Sequence, residues 1–182
     1  MKNVLIFLAD GFEEIEGLTV VDLLRRAGTD ITTVSITDNA KVIGSHKIAL
    51  ETDTTIGAVN FGEADMIVLP GGMPGTKNLE ACELLMKHVD EYAVSGKKVA
   101  AICAAPTILG HRGHLKGKKA CCYPGMEGDL TGAKVSYDEV SVDGNIITSR
   151  GLGTAIPFAL AIIEALTDKS TADRIGKSIV YI

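Results

Sequence analysis

The chain has 182 residues, of which 46% are hydrophobic, and its formal net charge is −5. This length predicts one domain over residues 1–182, large enough to bury a core. The acidic balance argues against a nucleic-acid partner or an anionic membrane surface, and no apolar stretch is long enough to span a membrane. We expect no signal peptide. The four cysteines form no CxxC motif, so a reducing cytoplasm fits best.

The first predicted strand and helix carry an unusual group of acidic residues. An apolar run from Val4 to Leu8 predicts a buried strand, which Asp10-Gly11 ends. A helix is predicted from Glu13 to Ala27 by apolar residues at helical spacing, namely Ile15, Leu18, Val21 and Leu24. Its first turn holds Glu13, Glu14 and Glu16. Favourable interaction with the helix dipole accounts for at least two of these three carboxylates.

The next segments predict two strands, a hairpin and a long helix. Ile31 to Ile36 alternates as a strand, Lys41 to Glu51 is typical of a hairpin, and Met66 to Leu69 is a second buried run. The loop from Pro70 to Gly75 contains three glycines and two prolines. Its backbone can approach a ligand closely, or it can serve only as a tight strand-to-helix turn. A helix is then predicted from Leu79 to Val94.

Cys103 lies where a predicted buried strand meets a predicted helix. Val99 to Ile102 is a short apolar run, and the residues from Ala104 predict a helix with Pro106 at an early position. A cysteine there faces backbone N–H groups and the positive end of a helix dipole, which lower a thiol pKa. Ala101-x-Cys103-x-Ala105 also has the spacing of a nucleophile elbow. The alternative is an inert cysteine buried at the end of a core strand.

The last third of the chain predicts further strands and two helices. A short strand is expected over Lys118–Cys122, with one of its two adjacent cysteines buried and the other facing outward. Asp138 to Ser149 predicts a hairpin that turns at Asp143-Gly144. Gly151 to Leu166 predicts a helix whose glycines could hold an anion but give only a weak dinucleotide signal. Lys169 to Ile182 is amphipathic.

Two histidines, His111 and His114, are spaced closely enough to be metal ligands. They end a predicted helix among lysines, where cations complement the helix dipole, so this explanation is favoured over a metal site. No cofactor and no metal are expected. Alternation of strands and helices predicts an α/β fold, with a doubly wound parallel sheet sandwiched by helices and a small antiparallel hairpin.

Four stretches, taken together and in this order, resemble the ThiJ/PfpI superfamily on its DJ-type branch, which includes a parkinsonism-associated protein. The stretches are ADGFEEIE from Ala9, VLPGG from Val68, AAICAAPT from Ala100 and TSRGLGT from Thr148. The resemblance covers nearly the whole chain. It implies a flavodoxin-like fold, a homodimer and a reactive cysteine at the elbow.

The resemblance also implies roles for individual residues. Cys103 is the expected nucleophile, Glu16 the carboxyl group beside it, and Gly72 and Ala104 the source of backbone N–H groups near the sulfur. Other residues expected around the pocket are Gly71, Arg26, Tyr123, Gly151 and Thr154, with Arg26 also at the dimer contact. The chain departs from the family at four positions: Tyr123 replaces a histidine, His46 replaces an arginine, Leu152 replaces a proline, and Ala104 stands where a protease-like branch has histidine.

Three function hypotheses follow. The first is a glutathione-independent glyoxalase or protein deglycase that acts on methylglyoxal-type dicarbonyls or their adducts. The second is a redox sensor in which Cys103 is oxidised to a sulfinic acid and catalysis is incidental. The third is a peptidase or amidotransferase-like hydrolase, which is disfavoured because it needs a histidine partner and none of the four histidines matches that position.

Overall fold

The computed structural model describes residues 2–182, and it contains eleven strands and six α-helices. The strands are β1 (Asn3–Leu8), β2 (Asp30–Ser35), β3 (Lys41–Ile43), β4 (Ala49–Glu51), β5 (Thr54–Thr55), β6 (Met66–Leu69), β7 (Lys98–Ile102), β8 (Lys119–Ala120), β9 (Lys134–Val135), β10 (Val140–Asp143) and β11 (Ile146–Ser149). The helices are α1 (Glu14–Arg26), α2 (Gly75–Ala81), α3 (Glu83–Ser95), α4 (Pro106–His111), α5 (Ala155–Leu166) and α6 (Lys169–Ser178).

Seven strands form the central sheet, in the order β10-β11-β7-β6-β1-β2-β5. All neighbours pair in parallel except β10 and β11, which form an antiparallel hairpin. A separate two-stranded hairpin, β3–β4, packs beside the sheet. The predicted doubly wound parallel α/β fold with a small antiparallel hairpin is therefore confirmed. Since the strands are parallel, the loops that follow β1, β6, β7 and β11 emerge at the same edge of the sheet.

Both faces of the sheet are buried, because successive side chains of each strand point to opposite faces. In β1, Val4, Ile6 and Leu8 pack into the core beneath α1, α5 and α6. Leu5 and Phe7 pack into the other core, beneath α2, α3 and α4. This double burial explains why the central strands are continuous apolar runs instead of alternating ones.

The helix predicted over Leu79–Val94 is wrong in one respect, because the chain forms two helices that meet at Cys82. Cys82 has extended backbone angles (φ −81°, ψ 95°) and separates α2 from α3. Leu79 and Leu85 are both fully buried in the same core. In one straight helix, residues six apart would face directions about 120° apart. The break at Cys82 lets both leucines face the sheet.

Burial differs from the sequence-based expectation at two further places. On α1, Val21 and Leu24 are buried as expected, whereas Ile15 and Leu18 are 49% and 40% exposed in the isolated chain. The predicted strand over 118–122 is shorter, and both of its adjacent cysteines are buried instead of one. Cys121 is held by a hydrogen bond from its thiol to the Thr148 carbonyl (3.3 Å).

Among residues 2–182, no helix has the length and apolarity needed to cross a membrane.

Phe12 supports the start of α1, and its truncation tests this part of the fold. Its ring is fully buried and lies against Gly17, where an added Cβ would be 3.0 Å from the ring. We predict that Phe12→Ala lowers the free energy of unfolding by roughly 3–5 kcal/mol, measured by urea unfolding. Val94→Ala is the control, since Val94 is 81% exposed, and it should change stability by less than about 0.5 kcal/mol. Similar effects of the two substitutions would contradict this assignment.

Candidate active site

Cys103 follows β7 in a backbone conformation that few residues adopt. Its φ is +65°, in the left-handed region, where a non-glycine residue is strained by about 1–2 kcal/mol. Its N–H donates to the Ser149 carbonyl (3.0 Å), and its carbonyl accepts from the Tyr123 N–H (2.8 Å). These bonds to neighbouring segments hold the residue in the sharp turn of a nucleophile elbow. The turn occupies residues 103–105, so α4 begins at Pro106 and not at the predicted Ala104.

The Glu16 carboxyl group is brought to Cys103 by the first turn of α1. Glu16 is only 1% exposed, and its Oε2 accepts a hydrogen bond from the Gly71 N–H (3.0 Å). A Cβ added to Gly71 would lie 2.6 Å from the Cys103 Cβ and 2.7 Å from the Glu16 Oε2. The Glu16 carboxyl group and the Cys103 side chain thus lie on either side of Gly71, in the loop after β6. Only glycine fits between them.

Burial changes the acidity of Glu16. Removal from water disfavours the carboxylate and raises the pKa of Glu16 from 4.5 to about 7. The Cys103 thiol and the Gly71 N–H partly offset this by stabilising the carboxylate, while the nearby Glu13 charge adds to the increase. Glu16 is therefore a carboxyl group that exchanges its proton near neutral pH.

The expectation that the Cys103 pKa is lowered is wrong, because burial beside Glu16 outweighs the effect of the backbone N–H groups. Burial, followed by the charge and hydrogen bonding of Glu16, raises the pKa of the Cys103 thiol to about 12, although the N–H groups of Gly72 and Ala104 favour the thiolate. The two groups titrate as a pair. Between about pH 7 and about pH 12 the pair holds one proton. In this state Glu16 is the stronger acid and the proton lies mainly on Cys103, so the thiolate forms when Cys103 passes that proton to Glu16.

Three other predicted pocket residues occupy the loops around this pair. An added Cβ on Gly151 would be 3.5 Å from the Tyr123 ring and 3.9 Å from the Glu16 Oε1, so all three lie at one side of the site. The Tyr123 side chain is 51% exposed. Thr154 lies in the same loop as Gly151, and its hydroxyl accepts from the Gly151 N–H (3.1 Å) and bonds to Ser149 (2.7 Å). Its hydrogen bonds fix the loop.

Arg26 is not brought to the site within one chain. It lies ten residues after Glu16 on α1, which corresponds to about 15 Å along the helix axis. Its guanidinium pairs with Asp22 (2.6 Å) on the exposed surface. The prediction of Arg26 as a pocket residue is therefore not supported by the fold of a single chain.

His46 and Glu14 form a contact that the sequence analysis did not identify. Buried Glu14 accepts hydrogen bonds from the His46 N–H (2.8 Å) and faces the His46 Nδ1 (3.0 Å). Although burial opposes it, this bonding lowers the pKa of Glu14 to about 2, and the same pairing raises the pKa of His46. Glu14 thus fastens the β3–β4 hairpin to the start of α1. Glu13, Glu14 and His46 place ligand atoms within 4.8 Å of one another, and these hydrogen bonds account for that grouping.

Comparisons with known proteins place the chain in a family. Residues 2–165 match the DJ-1/PfpI family, and the chain belongs to that family. It is 40% identical over 178 residues to Protein DJ-1 homolog A of Arabidopsis thaliana, a match that covers 96% of this chain and 45% of that protein. The chain thus spans less than half the length of this relative.

Two further relatives match over nearly their full length. A Pyrococcus abyssi protein named as a deglycase is 36% identical over 169 residues, which is 90% of this chain and 99% of that protein. The solved structure of oxidized Toxoplasma gondii DJ-1 has a TM-score of 0.95 and 35% sequence identity, and the match covers 100% of this chain and 99% of that one.

The pKa of Glu16 predicts a specific dependence of stability on pH. Since its pKa is about 7 in the folded state and 4.5 as the ordinary value, its contribution to stability is fully present below pH 4.5 and is lost as the pH rises through 7. Across this window the loss is roughly 3 kcal/mol. Glu16→Gln should remove this slope in urea unfolding experiments, and Glu51→Gln on the exposed β4 should keep it. An unchanged slope in Glu16→Gln would show that Glu16 is not buried beside Cys103.

Proposed function

We propose that this protein is a cysteine-dependent enzyme that converts methylglyoxal-type dicarbonyls, free or as adducts, without glutathione. The observation that carries the proposal is the buried Glu16 carboxyl group beside Cys103, with Gly71 between them. Such a pair offers a nucleophile and a general acid–base in one place. Membership of the DJ-1/PfpI family and the deglycase name of the Pyrococcus relative support the same class of activity.

The first step uses the thiolate form of the pair. The Cys103 sulfur attacks the aldehyde carbon of methylglyoxal and forms a C–S bond, while the carbonyl electrons move to the oxygen. The N–H groups of Gly72 and Ala104, which favour negative charge on the sulfur, would stabilise this oxygen as well. Glu16 supplies the proton that converts the alkoxide into a hemithioacetal.

The second step moves a hydrogen between the two adjacent carbons. Glu16, now a carboxylate, removes the proton from the carbon bound to sulfur, and an enediol forms. The hydroxyl proton on the sulfur-bearing carbon moves to the neighbouring oxygen, and Glu16 returns the carbon-bound proton to the neighbouring carbon. The product is a thioester of lactate, so one carbon is oxidised and the other is reduced. Water then cleaves the C–S bond and releases lactate with the free thiol. The pKa of about 7 suits Glu16 to both halves of this transfer.

The environment of the histidines argues against a peptidase or amidotransferase-like reaction. Such chemistry needs an imidazole beside the nucleophile. Each histidine has another partner: His46 contacts Glu14, His88 stacks on Phe61, His111 contacts Glu80, and His114 contacts Asp90. Tyr123, which replaces the family histidine, donates its backbone N–H to the Cys103 carbonyl and has no imidazole to offer. Glu16 is therefore the better candidate for proton transfer.

A redox-sensing role is the second candidate, and the same pair favours it. A protonated Glu16 could donate a hydrogen bond to a sulfinate on Cys103, which would stabilise that oxidised form. The Toxoplasma relative is described as oxidized. Mass spectrometry of Cys103 after mild peroxide, run beside a methylglyoxal assay, separates the roles. Stoichiometric oxidation without turnover would favour the sensor.

The exposed face of α1 supports a homodimer as the working form. Leu18 and Arg26 line a surface concavity of about 620 Å³ together with Val180, which is 92% exposed. Apolar surface of this kind is typical of a protein–protein contact. Arg26 would then contact the second copy.

The four cysteines are all free thiols, which is compatible with a reducing cytoplasm as the working compartment.

Substitution of Glu16 and Tyr123 tests the proposed proton transfer. Glu16→Gln keeps the shape of the side chain but cannot accept a proton, so kcat/KM for methylglyoxal should fall by roughly 100-fold or more. Tyr123→Phe removes only a hydroxyl with an ordinary pKa of about 10, and activity should stay within about tenfold of the wild type. Lactate formation is the measurement.

Both variants need a folding control, and circular dichroism with urea unfolding provides it. A folded Tyr123→Phe that loses more activity than a folded Glu16→Gln would contradict the mechanism. That result would leave the fold and the family unchanged.

A further inference from the structure

A second cavity, of about 360 Å³, lies at the carboxyl ends of β1 and β2. Its walls come from residues 8–10 at the end of β1, residues 35–37 at the end of β2, residues 41–42 of β3, and residues 78, 81 and 82 at and just beyond the end of α2. Neither Cys103 nor Glu16 is among the residues that line it. Open α/β sheets bind ligands at this edge, and the volume falls within the range of about 300–1,000 Å³ that small molecules occupy.

Two side chains of opposite charge line this cavity without pairing. Asp10 uses Oδ1 to accept a hydrogen bond from the Ile43 N–H (2.8 Å). Within residues 2–182, no cationic side chain lies within 4.0 Å of the Asp10 carboxylate and no carboxylate lies within 4.0 Å of the Lys41 Nζ. Both charges are therefore available to a bound molecule.

The rest of the lining is a mixture of hydroxyl, amide and aliphatic groups. Ser35 and Thr37 contribute hydroxyls that are 3.1 Å apart, and Asn78 contributes an amide that also donates to the Asp10 carbonyl (2.9 Å). Partly exposed Ile36 and exposed Ala81 give the cavity apolar surface. Polar groups at a few points of an apolar wall are the usual composition of a small-molecule site.

The charge arrangement selects the type of ligand. A simple anion would be attracted by Lys41 but repelled by Asp10. A simple cation would be attracted by Asp10 but repelled by Lys41. A molecule that carries both charges satisfies both side chains at once. We propose that this cavity binds a small aliphatic zwitterion of the amino-acid type, with its ammonium group on Asp10, its carboxylate on Lys41 and its side chain against Ile36 and Ala81. This site is additional to the dicarbonyl function and uses neither Cys103 nor Glu16.

Cys82 provides a reporter, because its half-buried thiol lines the same cavity. The experiment measures the rate at which iodoacetamide alkylates Cys82, read by peptide mass spectrometry so that the other cysteines do not interfere. L-valine at up to about 10 mM should slow this alkylation in a saturable manner, by tenfold or more at saturation. Its two halves, 3-methylbutanoate without the ammonium and isobutylamine without the carboxylate, should give little protection at the same concentration.

Charge-removing variants test the two contacts. Asp10→Asn retains the Oδ1 that accepts from the Ile43 N–H, so it removes the charge and leaves the hairpin attached. Asp10→Asn and Lys41→Gln should each abolish protection by L-valine. Lys47→Gln is the matched control, since Lys47 belongs to the same hairpin but does not line the cavity, and it should keep the protection.

Three results would overturn the proposal: no saturable protection by L-valine, equal protection by either half-molecule, or protection that survives Lys41→Gln. Isothermal titration calorimetry with the same probes gives a second readout that does not depend on the reactivity of Cys82. Absence of binding heat together with unchanged alkylation would exclude the site. Turnover of methylglyoxal plays no part in either measurement, so failure here leaves the proposed function standing.

Discussion

The proton held between Glu16 and Cys103 is the interaction on which the arrangement of the site depends. Two acidic groups this close cannot both ionise cheaply away from water, so burial raises the pKa of both groups and the Glu16 charge adds to the increase at Cys103. The loop after β6 makes this geometry accessible, because Gly71 leaves room for both side chains and donates its N–H to the carboxyl group. The acid comes from the first turn of α1, and the nucleophile and N–H donors come from the loops after β6 and β7 at the same edge of the sheet.

The first turn of α1 combines support and chemistry in consecutive residues. Glu14 fastens the β3–β4 hairpin through His46, and Glu13 donates its backbone N–H to the Gly71 carbonyl (2.9 Å). These contacts fix the helix start against the loop that touches Glu16. Interaction with the helix dipole, which the sequence alone suggested for this acidic group, is therefore only part of the explanation. Glu13 and Glu14 face Ser45 and His46 of the hairpin turn, whereas Glu16 faces Gly71 and Cys103.

Sequence reasoning succeeded where the determining pattern is local. Apolar runs identified β1, β6 and β7, and the parallel order of those strands places the residues that follow them at one edge. It failed where the outcome depends on packing between distant segments. The break at Cys82 follows from the joint burial of Leu79 and Leu85, and the raised pKa of Cys103 follows from burial beside Glu16. A dipole argument based on the short α4 could not weigh those effects.

The most direct test of the shared proton is an NMR titration of the Glu16 carboxyl carbon in protein with ¹³C-labelled glutamate, with the resonance assigned by Glu16→Gln. The account predicts that Glu16 titrates near pH 7 in the wild type. In Cys103→Ala its pKa should be higher still, since the thiol that stabilises the carboxylate is gone. Titration of Glu16 at its ordinary value of 4.5, unaffected by the loss of Cys103, would contradict the account.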